Sequence, residues 1–115
     1  MVKSTRSLRR LFSPEEADRM LPLVRVIVRD LVEAHRALAE RIDGFEKARM
    51  SDPVGFDSEA AERQIEDAHR AFDVLLRELG QLGVVCRDAS RGLVEFPALF
   101  GVITWEPGEA AVRVG

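Results

Sequence analysis

Two apolar stripes that mirror each other about one short segment constrain this chain more than anything else in it. The first runs Val24, Val28, Leu31, His35, Leu38, Ile42, Phe45, and the second Ala61, Ile65, Ala68, Phe72, Leu75, Leu79, Leu82. In both, the steps alternate between four and three residues, which is the spacing of a helical heptad seam. Folded back antiparallel, the stripes meet in layers: Phe45 on Ala61, Ile42 on Ile65, Leu38 on Ala68, Leu31 on Leu75, Val28 on Leu79, Val24 on Leu82. Large faces small in several layers, which lets side chains interdigitate. Every pair is centred at or just beyond Pro53, inside MSDPVGFDS, where turn-forming residues gather. Stripe and turn are independent signals, and both predict one long antiparallel, coiled-coil-like helical hairpin over residues 22–82.

The stretch FSPEEADRMLP marks a helix start. Ser13 is placed to cap it, Pro14 takes the first helical position, and Glu16 completes a capping box. Pro22 lacks a backbone donor, so a break near Leu21 is expected. That divides the region into a short helix and then a long one from about Pro22 to Arg49, with the second hairpin helix from about Ser58 to Gln81. Leu23, Ile27 and Leu76 lie beside the seam and need cover. The short helix, the C-terminal segment or a second copy of the chain can supply it. Two hairpins side by side make a four-helix bundle, so a homodimer is expected.

After Gly83 the period changes to that of strands. VVCRD is short and β-branched, GLVEFP alternates Leu93 and Glu95 against Val94 and Phe96, and GVITW is again strand-like. EPGE puts Pro107 and Gly108 at the centre of a type II turn. Gly101–Trp105 and Ala110–Val114 are therefore expected to form a hairpin, with Val84–Asp88 and Gly92–Phe96 beside it. The whole reads as mainly α with a small C-terminal antiparallel β element, an α+β arrangement. Residues 12–115 make one domain, with the β element over 84–115, behind a basic flexible tail over 1–11.

Composition narrows the function classes. With 46% hydrophobic and 32% charged residues, the chain of 115 residues is not globally disordered. A net charge of −3 excludes a general polycation for nucleic acid. Only the start, with Lys3, Arg6, Arg9 and Arg10, offers phosphate-binding charge. Cys86 is the single cysteine, so an intrachain disulfide is impossible. No signal peptide and no run near the ~20 apolar residues of a membrane span is recognisable. A cytoplasmic protein with no membrane contact is the expectation.

The motifs LFSPEEADRMLPLVR, LGVVCRDASRGLVEFPAL and TWEPGE, in this order around a charged helical hairpin, resemble an uncharacterised bacterial family catalogued as domain of unknown function two-two-zero-three. The resemblance covers nearly the whole chain. Its pattern maps onto Asp88, Gly92, Leu93, Val94, Glu95, Phe96, Pro97, Trp105, Gly108 and Glu109. The acidic position is typically Asp in the family and is Glu95 here, and Thr104 stands where a Cys usually precedes the Trp. Gly115 comes before the aromatic-His-acid ending the resemblance implies. The family brings no established activity, so what it implies is the fold.

Three sets of residues carry candidate chemistry. Asp88, Glu95 and Glu109 converge beside Trp105 if the strands pair suitably, and grouped carboxylates bind hard cations or act as acid and base. Each also has a plain structural role open to it, as turn residue, solvated side chain or partner of Arg87, Arg91 or Arg113. His35 lies in the seam at the level of Phe72, and Glu66 and His69 stand three apart in EDAH. Duplicated in a four-helix bundle with Glu33 or Asp30, that spacing suits a di-iron centre. Against it, Ala68 and Phe72 in the core turn Glu66 outward and leave His69 on the flank. Cys86 sits in an apolar strand, where a thiol is inert packing. Ser13 is used by the cap, and no phosphate loop or cofactor motif occurs. The expectation is a non-enzymatic dimer that binds an unknown protein partner, with Phe96, Pro97, Phe100 and Trp105 as candidate contacts. The alternative is a small-ligand or divalent-metal site on the β element.

Overall fold

Ser13 and Glu16 start the fold as the capping box requires. In the computed structural model, which describes residues 10–115, the Glu16 amide donates to Ser13 Oγ at 3.1 Å and the Ser13 amide donates to Glu16 Oε1 at 2.9 Å. The bond from the Ser13 backbone holds the Glu16 carboxyl below the usual carboxylate range. Helix α1 then runs unbroken over Pro14–Ser51.

The expected break at Pro22, and with it a separate short helix, is absent: Pro22 lies inside α1. The reason is where the defect falls. Pro22 and Asp18, whose carbonyl loses its partner, are both exposed, so water can satisfy that oxygen. On the opposite face Ala17, Leu21, Val24 and Val28 are buried on both sides of the proline. A helix-interior proline costs about 3 kcal/mol. Burying Leu21 and Val24 contributes about 1.5–3 kcal/mol each, enough to hold the helix through it.

Helix α2 spans Ser58–Gln81 and is capped by Asp57, whose Oδ1 accepts from the Ala60 amide at 3.1 Å. The connection carries the predicted turn chemistry, with Asp52 Oδ1 accepting from the Gly55 amide at 3.0 Å. The mirrored stripes hold at the level of His35. His35 meets Phe72 with ring centroids 5.8 Å apart, and at the tip Phe45 packs edge-on to Phe56 at 5.1 Å.

Four short strands follow: β1 Val85–Asp88, β2 Leu93–Phe96, β3 Ile103–Trp105 and β4 Arg113–Val114. They form an antiparallel meander in sequence order. One face turns to the helices: Val94, Phe96, Ile103 and Trp105 are buried in one cluster with Phe12, Val24, Val28, Leu31 and Leu79. Phe12 closes it, edge-on to Phe96 at 5.3 Å, while its amide donates to Pro97 O at 2.7 Å.

EPGE forms the expected turn. The Glu109 amide donates to Glu106 O at 3.1 Å, and Gly108 takes φ 101°, the positive value that a type II turn demands at this position. The return strand is shorter than Ala110–Val114, because its first residues leave the sheet for α1. Arg25 donates to Ala110 O at 2.8 Å, and the Val112 amide donates to Asp18 Oδ1 at 2.9 Å. Only Arg113 and Val114 rejoin β3. The basic-tail residues Lys3, Arg6 and Arg9 lie outside the described residues. Arg10 is described and lies over the Phe12 ring, 4.5 Å from its centroid.

Candidate functional site

The sheet register decides which candidate residues meet. Val94 pairs with Trp105 and Glu95 with Thr104. Side chains alternate along a strand, so Trp105 shares the inner face with Val94 and Phe96, while Glu95 points to the outer face. There Glu95 accepts from Arg87 Nε at 2.7 Å, which raises the Arg87 pKa. Asp88 is used by the β1–β2 turn: its Oδ1 accepts from Ser90 Oγ at 2.6 Å and the Ser90 amide at 3.0 Å. The Ser90 hydroxyl first, and then the backbone amides of Ser90 and Arg91, hold this carboxyl below the usual range.

Glu109 does sit beside Trp105, but as part of the turn. Trp105 Nε1 donates to the Glu109 carbonyl at 2.8 Å, and the Glu106 amide donates to Glu109 Oε1 at 2.9 Å. Arg113 Nε lies 2.6 Å from Glu109 Oε2, and Arg91 donates to Glu106 at 2.6 Å. Glu95 thus lies on the sheet face away from Trp105, and each of the three carboxylates has its own partner. Among the described residues no group of three His, Cys, Asp or Glu side chains is placed to hold a metal ion. His69 Nδ1 lies 3.5 Å from Asp73 on an exposed face and Glu66 is exposed, so the two do not face inward with His35. Burial pushes the Cys86 thiol up, and the Asp88 charge pushes it further, away from a reactive thiolate.

The aromatic contacts divide sharply. Phe96 is 0% and Trp105 2% exposed, so both close the core, whereas Phe100 is 83% exposed. Leu11, Leu99 and Val114 are exposed beside Phe100 and line the same shallow groove at the sheet end. Phe100→Ser is therefore expected to move the unfolding free energy by no more than about 0.5 kcal/mol in urea titrations. A larger loss shows that Phe100 packs into the fold.

A second groove, of about 620 Å³, lies between α1 and the Trp105 turn. Val32, Trp105 and Pro107 give it an apolar floor, and Arg25, Arg29 and Arg91 stand on its rim. The Arg25 guanidinium lies 5.8 Å from the Trp105 ring centroid, a cation–π distance. Sequence reasoning missed Arg25, Arg29 and Val32. Their signal was present: the steps of four and three put them on one face of α1, flanking the seam. What faced them, some eighty residues later, was not legible.

A family model matches residues 10–114, and its description is Uncharacterized conserved protein (DUF2203). No curated protein and no solved structure matches the chain.

Proposed function

The chain belongs to this family of uncharacterised conserved proteins, and we propose that it is a homodimeric helical-hairpin interaction module that engages a partner protein. One observation supports this best: the apolar stripes of the hairpin extend far beyond the core. On α1 the last buried residue is Leu31, and on α2 only Leu79 is buried. The seam nevertheless continues through Leu38, Ile42 and Phe45 against Ala61 and Ile65, with Ile42 45% exposed. The radius of gyration is 18.1 Å, against about 13 Å for a compact domain of this length. A projecting pair of helices leaves both sides of its seam to water, and a second hairpin laid across it covers one side.

The projecting seam gives that occupant a docking face. Beyond the layer of His35 and Phe72 the hairpin extends for about 14 residues of α2, or about 21 Å, and two helices are about 20 Å wide. That gives about 400 Å² per copy, at the low end of specific interfaces. The partner surface is assigned to the opposite end, where Leu11, Leu99, Phe100 and Val114 expose contiguous apolar side chains.

Light scattering at micromolar concentration is expected to give twice the chain mass of 12.9 kDa. Ile42→Glu is expected to raise the dissociation constant about a hundredfold, because an unpaired carboxylate buried in an interface costs several kcal/mol. Its helical circular dichroism is expected to stay unchanged. A single-chain mass for the unaltered protein overturns the dimer.

A further inference from the structure

We propose that the groove between α1 and the Trp105 turn binds a small organic anion: a flat apolar body carrying one carboxylate or phosphate group. Shape gives the first half of this. Its volume of about 620 Å³ falls within the ~300–1,000 Å³ of small-molecule sites. The floor is apolar and rigid, because Pro107 belongs to a hydrogen-bonded turn and Trp105 is fixed by its bond to the Glu109 carbonyl.

Charge gives the second half. The two carboxylates that line the groove are each neutralised by a cation outside the lining: Glu33 is paired with Arg36, and Glu109 with Arg113 at 2.6 Å. Of the lining arginines, Arg91 is matched by Glu106. Arg25 bonds a neutral backbone carbonyl, Ala110 O. Among the described residues Arg29 contacts only the exposed Asp30 next to it, at 3.3 Å, an arrangement worth little in water. Two guanidiniums one helical turn apart therefore face an apolar floor, one held by a neutral carbonyl and the other by a single solvent-exposed carboxylate. Arginine recognises carboxylate and phosphate alike through its planar fork of donors.

The groove lies at the base of the hairpin within one chain, so its occupancy and the mass of the assembly are independent readouts. Trp105 is the only tryptophan, so its indole N–H gives one unambiguous resonance. Titration with benzoate or phenyl phosphate is expected to shift that resonance and the Gly108 amide saturably, and the tighter of the two identifies the anion. Benzyl alcohol, which keeps the ring and lacks the charge, is expected to bind at least about tenfold more weakly, as is either anion to Arg29→Gln, since a hydrogen bond to a charged group is lost. Arg29→Gln removes no contact that holds the fold. Non-saturable shifts, equal binding of benzyl alcohol, or unaltered anion binding by Arg29→Gln would each overturn the assignment.

Discussion

Phe96→Ala is expected to lower the unfolding free energy by about 3–5 kcal/mol, the cost of truncating a buried aromatic residue. Phe96 is fully buried on the inner strand β2, paired with Ile103 across the ladder and edge-on to Phe12. The alanine removes the ring's burial, leaves a cavity, and takes away the surface on which Phe12 rests. Aromatic pairs of this geometry add about 0.5–1.5 kcal/mol beyond their area. Small domains hold only about 5–15 kcal/mol in total, so this single change is expected to consume a large share. The check is the urea midpoint, with the slope unchanged, at one fixed chain concentration, because the proposed dimer would add to apparent stability. A loss under about 1 kcal/mol returns Phe96 to the list of surface contacts. Paired with Phe100→Ser, the experiment separates two phenylalanines four residues apart that the sequence presents as equals.

Gly92→Ala is expected to cost about 2–5 kcal/mol, from two causes that act together. Gly92 has φ +74°, and a side chain in that left-handed region costs about 1–2 kcal/mol. A Cβ at this position also sits 2.7 Å from Val28 Cγ1 and 2.9 Å from Pro107 Cδ. Neither neighbour yields easily, since Val28 is buried in α1 and Pro107 belongs to the type II turn. Overpacking of this kind adds about 1–3 kcal/mol. The two parts can be separated. Val28→Ala in the same chain relieves the closest collision and leaves the Pro107 contact and the backbone strain, so the double variant is expected to be more stable than the sum of the single losses predicts. Strict additivity means that the collision with Val28 has no energetic weight. At Gly92 the turn after β1 meets α1 at Val28 and the type II turn at Pro107, and the groove beside Trp105 keeps its shape only if they stay together.

The residues differ in how far the sequence reveals them. Val94 and Phe96 alternate with Leu93 and Glu95, so the two faces of β2 are readable from period alone. Which face meets Trp105 is not, because it depends on the register between β2 and β3. A shift of one residue moves every side chain to the other side. That is why Glu95, close to Asp88 along the chain, faces away from Trp105. The carboxylates also find arginines close by, at Arg87 and Arg113, and such local pairing removes them from any common site.

What the sequence determined by itself is the hairpin, its turn, the capping box at Ser13 and the type II turn at Pro107. Each depends on periodicity within an element, or on dihedral preferences within four or five residues, and these act before any long-range contact exists. Three features were decided only by tertiary structure. Burial of Leu21 and Val24 carries α1 through Pro22, overriding a local rule worth about 3 kcal/mol. Hydrogen bonds from Arg25 and to Asp18 draw Ala110 and Val112 out of the expected strand. The same docking brings Arg25 and Arg29 to Trp105, and so creates the groove. In each case the outcome turns on a free energy shared between residues far apart in the chain, which no local pattern records.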